Sequence, residues 1–318
     1  MIITLTPNPA LDRTVLVDSL DRGEVHRAFA VRVEAAGKGV NVTRALAAHG
    51  VEAVAVIPVG GRSGTWYLDT LTSESVSVDA VRIVGAMRTN VAIVEPEGTT
   101  TKINEPGPVL DAGEQQLLID AVRARIIGGA RWIVGCGSLP PDTEPDFYRQ
   151  LIRLGREHGV RSAIDSSHGP FMRAVDARPD LIKPNLDELE ELLGTQFGTV
   201  GDVIAGARKL IKQGIGTVLV SLGSQGALLV TGDRIEHAHA SVERPLSTVG
   251  AGDAFLAGYL SVVDEAPGRA LATGVRWGSA AVGLPGSQMP GPEQTRSVAV
   301  IVTDQPELDL PSRGGNFA

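Results

Sequence analysis

Short apolar runs alternate with helical stretches through the second half of the chain. Residues 114–127 carry apolar side chains at helical spacing, and 132–134 follow as a β-branched strand. The same pattern predicts further helices over 145–157, 186–193 and 201–213, and strands over 160–165, 180–183, 217–221 and 226–230. Short buried strands separated by helices are typical of a mainly parallel sheet covered on both faces, which is a three-layer α/β/α arrangement.

The first half departs from this alternation at two pairs of strand-like runs. The pairs comprise 14–18 with 25–33, and 89–94 with 99–104, whereas 40–49 and 54–59 read as a helix and a buried strand. We therefore expect one domain over 1–318, with a small β lid formed by about 9–32 and 85–107 inserted in the α/β core. An exposed face on such a lid would favour a homodimer.

Composition narrows the class of protein. The chain has 318 residues, a formal net charge of −8 and 43% hydrophobic residues, with no apolar run long enough to cross a bilayer. An acidic chain is a poor general partner for nucleic acid or membrane surfaces. With Cys136 as its single cysteine the chain forms no internal disulfide. A cytoplasmic protein is the resulting prediction.

The stretch Gly250-Ala251-Gly252-Asp253, followed by an apolar run, predicts a tight loop that leads into a buried helix. A helix N-terminus of this kind attracts anions. Asp253 is then either an N-cap or a base that takes a proton beside a transferring phosphoryl group. Phe255 breaks a dinucleotide fingerprint, and Gly39 after Lys38 breaks a Walker motif, so another scaffold is required.

In open α/β sheets, ligands bind beyond the carboxyl ends of the strands. The candidate loops are therefore those that follow predicted strands, at 135–140, 165–169, 183–188 and 221–226. His237 and His239 share one face of a strand, but no third ligand is near them in sequence, and a solvated strand explains them better than a metal site.

Three motifs together resemble the PfkB family of the ribokinase-like superfamily. These are Ala36-Gly37-Lys38-Gly39-Val40-Asn41, Asn185-Leu186-Asp187-Glu188 and Thr248-Val249-Gly250-Ala251-Gly252-Asp253. Segments 6–12, 101–108 and 137–141 look like the phosphosugar kinase branch, which acts on fructose 1-phosphate and tagatose 6-phosphate. Lys38 does not separate the branches, since ribokinases share Gly-Lys-Gly at this point.

For the sugar side, the resemblance implies that Asp253 is the base and that the N–H groups of Ala251, Gly252 and Asp253 form the anion hole, with Gly250 in the same catalytic loop. Asp12 would accept sugar hydroxyls, unless it only stabilises a turn. The remaining predicted sugar-phosphate contacts are Gly37, Lys38, Asn41, Arg88, Lys102, Ser138 and Arg27. Arg88, Lys102 and Arg27 could instead be solvated charges, and Ser138 could cap its loop.

For the nucleotide side, the resemblance implies ATP and Mg²⁺ as cofactors. The predicted nucleotide contacts are Lys183, Asn185, Ser221, Gly223, Gly226 and Thr248. Glu188, with Asn185, would position Mg²⁺ through water, the alternative being a first-turn acid that the helix dipole favours. Residues 281–289 would line the adenine.

The resulting expectation is an ATP-dependent kinase for the 6-hydroxyl of D-fructose 1-phosphate. A tagatose-6-phosphate kinase or a 6-phosphofructokinase of the same family is the near alternative. A sugar-phosphate sensor without activity is a remote one, since Asp253, Asn185 and Glu188 are all intact.

Overall fold

The structure is a computed structural model that describes residues 1–96 and 98–313. The end of the expected domain, 314–318, lies outside the described residues. Within the described part of the chain, no helix is both long and apolar enough to cross a membrane.

A ten-stranded sheet forms the centre of the fold, in the order β14-β13-β12-β11-β10-β9-β8-β1-β4-β5. Its strands are β1 Ile2–Leu5, β4 Ala53–Val59, β5 Val78–Arg82, β8 Trp132–Cys136, β9 Arg161–Asp165, β10 Leu181–Ile182, β11 Thr217–Ser221, β12 Ala227–Val230, β13 Ile235–His239 and β14 Ile301–Thr303. From β5 through β11 neighbouring strands are parallel, and from β11 to β14 they are antiparallel.

Helices cover both faces of this sheet. They are α1 Lys38–Ala48, α2 Gly61–Ser73, α3 Ala112–Ile127, α4 Phe147–Glu157, α5 His168–Asp176, α6 Leu186–Leu193, α7 Val200–Lys212, α8 Ala251–Val262, α9 Pro267–Val282 and α10 Pro292–Arg296. Helices α3 to α7 share one apolar core with the sheet, while α1, α8 and α9 share another on the opposite face. The predicted three-layer α/β/α arrangement is confirmed.

Four strands form a separate small sheet in the order β3-β2-β6-β7. Its strands are β2 Ala10–Leu16, β3 Ala30–Ala36, β6 Arg88–Val94 and β7 Thr100–Asn104. The central pair, β2 and β6, is parallel and both outer pairs are antiparallel. The expected lid segments thus correspond to a real sheet, although its β3 strand extends beyond residue 32 to Ala36.

Register gives this small sheet one polar and one apolar face. Asp12 lies directly opposite Glu34 on one side and Asn90 on the other, and opposite residues share a face. On the alternate positions, Val15 pairs with Val31, and Val33 lies two residues further along β3. Val31 and Val33 are exposed. One face of the small sheet therefore carries carboxylates and amides, and the opposite face carries exposed valines.

Several predicted boundaries were wrong. Strand β2 occupies 10–16 rather than 14–18, and β3 begins at Ala30 rather than 25, because Val25 lies in a connecting loop, 83% exposed. Edge strand β5 was missed, since its alternating residues follow a helix without a clear turn signal. The predicted loop 165–169 already starts α5, at His168.

Candidate active site

A cavity of about 400 Å³ opens where β10 and β11 end and α8 begins, and the polar face of the small sheet bounds its other side. Residues from all three sequence motifs and both sheets meet in its wall. The predicted site residues that line it are Asp12, Gly37, Lys38, Asn41, Arg88, Lys183, Asn185, Glu188, Ser221, Gly250, Gly252 and Asp253.

Four predicted sugar-side residues are not part of this lining. Ala251 points its amide back to the Thr248 carbonyl, at 3.4 Å. Ser138 lies in the loop after β8 and accepts a 3.4 Å hydrogen bond from Asn8. Lys102 is exposed on β7, and Arg27 is exposed in the loop between β2 and β3. These four residues therefore lie outside the wall of the cavity.

Three predicted nucleotide-side residues also lie outside the lining. Thr248 and Gly223 are exposed. Gly226 has a packing role, because a Cβ there would lie 2.0 Å from the carbonyl oxygen of Ala238 on β13. The close approach of two strands thus accounts for the glycine at 226.

The start of α8 has the geometry of an anion site. Gly250 is the N-cap with φ of 79°, a left-handed conformation that glycine adopts without steric cost. The amides of Gly252 and Asp253 fall in the first turn, where no preceding turn supplies acceptors. These N–H groups and the positive end of the helix dipole therefore face the cavity.

Asp253 does not cap its helix. Its side chain makes no capping hydrogen bond, and its Oδ2 instead accepts a 2.8 Å hydrogen bond from Nδ2 of Asn41 on α1. Asn41 is itself oriented by Arg44, whose guanidinium donates to Asn41 Oδ1 at 2.9 Å. The carboxylate is 7% exposed, so its orientation is fixed by α1 while it lines the cavity.

Two lysines and a second buried aspartate surround this carboxylate. Asp165, at the end of β9, is fully buried and pairs with Lys38 at 2.8 Å and with Lys183 at 3.2 Å. Lys38 also approaches Glu188, at 3.8 Å. Two lysines thus face three carboxylates, which leaves the cluster with one excess negative charge when all are ionised.

These neighbours set the protonation of the site. Burial and the Asp165 carboxylate raise the pKa of Asp253 to about 6, against the lysines and Asn41, which lower it. Burial would raise the pKa of Asp165 too, but Lys183 and Lys38 outweigh it and hold that pKa below its ordinary value. Burial opposes the charge on Lys38, yet Asp165 and Glu188 raise its pKa. Asp165 thus stays ionised while Asp253 titrates nearer to neutral pH.

The small sheet contributes a second polar group of side chains. Asn90 donates from Nδ2 to Asp12 Oδ1 at 3.0 Å, and Arg88 donates to the carbonyl oxygen of Glu105 at 3.0 Å. Burial raises the pKa of Asp12, with Asn90, Arg88 and Lys102 acting in the opposite direction. Within the described residues, Asn90 Oδ1 and Arg88 Nε are buried without a hydrogen-bond partner. Both residues line the cavity and therefore have hydrogen-bonding capacity there that no described protein group uses.

Asn185 and Glu188 form a capping box at the start of α6. Asn185 Oδ1 accepts from the Glu188 amide at 2.8 Å, and Glu188 Oε2 accepts from the Asn185 amide at 2.9 Å. In the described ranges no three His, Cys, Asp or Glu side chains converge as metal ligands. Mg²⁺ takes few protein ligands and keeps waters and phosphates, so this acid fits an outer contact to the ion better than a closed cage.

Sequence reasoning missed three residues of this region. Asp165 was interpreted only as part of a loop, and Asn90 only as part of a strand. Asn8 was quoted without a role, yet its amide donates to the Pro106 carbonyl at 3.0 Å and so connects the end of β1 to the segment after β7. The signal for Asp165 was its position at the carboxyl end of a buried strand, the edge of the sheet at which ligands bind.

The fold and this cavity define an α/β enzyme of the ribokinase-like class, with an acid and an anion-binding helix start on one side of the site. Residues 8–294 match the family described as pfkB family carbohydrate kinase. The chain belongs to this family of kinases.

Relatives and solved structures agree with this assignment. The 1-phosphofructokinase of Rhodobacter capsulatus is 35% identical over 95% of this chain and 96% of its own length. The ATP-dependent 6-phosphofructokinase isozyme 2 of Mycobacterium tuberculosis is 34% identical over 88% of this chain and 82% of its own. The structure of phosphofructokinase-2 from Escherichia coli in complex with substrates and products has a TM-score of 0.86 and 30% identity, covering 93% and 97% of the two chains.

Proposed function

We propose that this chain transfers the γ-phosphoryl group of ATP to the 6-hydroxyl of D-fructose 1-phosphate. The observation that carries the proposal is the Asp253 carboxylate, which is buried, held by Asn41 and placed beside the first-turn amides of α8. In this reaction Asp253 accepts the hydroxyl proton while the sugar oxygen bonds to the γ-phosphorus and ADP leaves. The Gly252 and Asp253 amides stabilise charge on the phosphoryl oxygens.

The small sheet supports recognition of a phosphosugar. Arg88 has a buried Nε without a protein partner, and a guanidinium matches a phosphate through paired hydrogen bonds. Asp12 would accept sugar hydroxyls. In this proposal the sheet acts as a lid that excludes water and so limits hydrolysis of ATP. Contacts from Lys102, Ser138 and Arg27 to the phosphosugar remain predictions, since these three residues lie outside the lining of the cavity.

Lys183, Asn185 and Ser221 belong to the wall of the cavity on the β10 and β11 side, where we place the ATP phosphates. Glu188 would hold Mg²⁺ through water, and Asn185 would assist it. Bound there, the ion would neutralise charge on the β- and γ-phosphates. The protein's own part is to fix Glu188 through the capping box, so that its carboxylate meets the phosphates in one orientation.

The substrate is decided by comparing kcat/KM in an ADP-release assay. The panel comprises fructose 1-phosphate, fructose 6-phosphate, tagatose 6-phosphate and fructose, and the first should be preferred at least tenfold. A preference for fructose 6-phosphate would instead establish the second candidate, a 6-phosphofructokinase, which the name of the Mycobacterium tuberculosis relative favours. Binding of these sugars without any ADP release would refute the kinase proposal.

We also infer a homodimer formed through the small sheet, in a cytoplasmic protein. The support is the exposed apolar face, on which Val31, Val33 and Ile103 are 46, 42 and 57% exposed. Exposed valines on a sheet favour burial against a second copy. Sedimentation equilibrium of the protein and of Val31→Lys/Val33→Lys tests this inference. The variant should shift to monomer, whereas a monomeric unmodified chain would contradict the dimer.

A further inference from the structure

A second cavity, of about 350 Å³, lies between α4 and the end of α5. Arginines dominate its wall, and a single acid, Asp176, is among the residues that line it. The arginines are Arg149, Arg153, Arg156 and Arg178. For a chain with a net charge of −8, this is a strong local excess of positive charge.

The topology places this cavity away from the active site. Helix α4 follows β8 and ends before β9, so its last turn lies at the edge where the parallel strands begin. Helix α5 likewise ends before β10 begins. The active-site cavity lies at the opposite edge, where the strands end. The arginine cavity therefore belongs to neither the sugar side nor the nucleotide side of that site.

Two of the arginines have evident structural partners. Arg156 donates from one nitrogen to the carbonyl oxygens of Ala177 and Arg178, at 2.8 and 3.0 Å, just beyond the end of α5. Arg149 pairs with Asp146 at 3.3 Å and lies 3.9 Å from Asp176. These contacts account for their orientation and hold the rim of the cavity in place.

The other two arginines have no such explanation. Over residues 1–96 and 98–313, neither the Arg153 nor the Arg178 side chain makes an ion pair or donates a side-chain hydrogen bond. Arg178 is nevertheless ordered by packing, since a Cβ on Gly214 would lie 2.9 Å from its Cδ. Arg153 is four residues from Arg149 and three from Arg156 on α4, a spacing at which like charges repel. An anion between these side chains would relieve the repulsion.

We propose that this cavity binds a small phosphate-bearing anion. Its volume suits one small molecule rather than a macromolecular surface. Guanidinium groups bind phosphate oxygens through paired, charge-assisted hydrogen bonds. Arg153 and Arg178 supply these bonds, while Arg149 and Arg156 fix the cavity walls. The site is independent of the reaction proposed above.

Isothermal titration of the full chain at low ionic strength tests the site, with pyrophosphate, inorganic phosphate and fructose 1,6-bisphosphate as probes. Arg153→Gln/Arg178→Gln should lose one binding site per chain, or weaken it at least about tenfold. Arg88→Gln should retain that site, which separates it from the proposed phosphosugar site. Arg123→Gln/Arg208→Gln removes two exposed arginines from α3 and α7 and serves as the matched control.

Superimposable pyrophosphate isotherms for Arg153→Gln/Arg178→Gln and the unmodified chain would overturn the proposal, as would an equal loss in the control variant. Both substituted positions are exposed, and far-UV circular dichroism of each variant verifies its folding. Tighter binding of the inorganic anions identifies free phosphate as the occupant. Tighter binding of the bisphosphate identifies a phosphorylated metabolite. Either result supports the site only for the binding that Arg153→Gln/Arg178→Gln removes and Arg88→Gln retains, since the bisphosphate is also the product of the proposed reaction.

Discussion

Replacing Asp253 by asparagine should reduce turnover and at the same time stabilise the fold. Burial and Asp165 raise the pKa of Asp253 from an ordinary value of 3.8 to about 6. A tenfold change in an ionisation constant corresponds to about 1.4 kcal/mol, so the charged form costs the folded state about 3 kcal/mol. Asparagine keeps a carbonyl oxygen that can accept the hydrogen bond from Asn41, but it carries no charge.

The sign of the effect follows from linkage. A folded pKa above the unfolded pKa means that the folded protein binds the proton more tightly. The stability that this group contributes is therefore fully present below about pH 3.8 and is lost as the pH rises to about 6. At pH 8 the Asp253→Asn variant should therefore gain up to about 3 kcal/mol in unfolding free energy. For a chain of this size, that corresponds to an increase of about 5 °C in Tm. Turnover should fall by about 10²- to 10⁴-fold, since a general base is lost.

Asp165→Asn is the matched control, because Asp165 is also buried but has a lowered pKa. Its charge neutralises Lys38 and Lys183, so this variant should lose about 3 to 5 kcal/mol at pH 8. Urea denaturation at pH 8 and pH 5, with ADP release measured alongside, provides both quantities. If Asp253→Asn were no more stable than the unmodified chain at pH 8, or its stability difference did not shrink at pH 5, the electrostatic account of the site would be refuted.

Three further predictions concern single contacts of the same site. In the unmodified enzyme, kcat/KM should fall below pH 6 as Asp253 is protonated. The hydrogen bond from Asn41 lowers the pKa of Asp253, so its removal in Asn41→Ala should raise that pKa and move the acidic limb to higher pH. An unmoved limb would exclude Asp253 as the titrating base. Glu188→Gln can preserve the capping box, so the free energy of unfolding should change by less than about 1 kcal/mol. The Mg²⁺ concentration that gives half the maximal rate should rise several-fold. An unchanged Mg²⁺ requirement would contradict the proposed outer contact. Arg88→Gln should raise KM for the phosphosugar at least about tenfold and leave KM for ATP within twofold, and equal changes in both constants would exclude a sugar-side role.

Most helices and buried strands were predicted correctly, because helix caps and hydrophobic periodicity depend on residues that are close in sequence. Helix α6 begins at a capping box formed by Asn185 and Glu188, and α8 begins at Gly250, so residue types near each start predict it. Periodicity identifies most buried strands. The strands of the small sheet were placed less accurately, since their boundaries depend on pairing partners far along the chain. Strand β2 starts at Ala10 because it pairs there with Arg88 on β6.

Sequence motifs predicted individual residues of the site but not the contacts between them. Asp253 and Asn41 were expected to act on the same substrate, but their direct hydrogen bond joins residues 212 positions apart, and no spacing reveals it. Asp165 was overlooked for the same reason. Its role depends on Lys38 and Lys183 arriving from α1 and from the end of β10, and its own neighbours, two serines and a histidine, resemble an ordinary polar loop.

The ion pairs of Lys38 and Lys183 with Asp165 affect which groups can bind phosphate. Lys38 and Lys183 would be the obvious phosphate ligands of an acidic chain, yet both are bound to Asp165, and with Asp253 and Glu188 ionised the cluster has an excess negative charge. Further attraction for anionic substrates must then come from groups outside this cluster. The first-turn amides of α8 and the Arg88 guanidinium meet this requirement, and they lie on different sides of the cavity. Two separate phosphate positions with an ionisable acid between them are what transfer from a nucleotide to a phosphosugar requires.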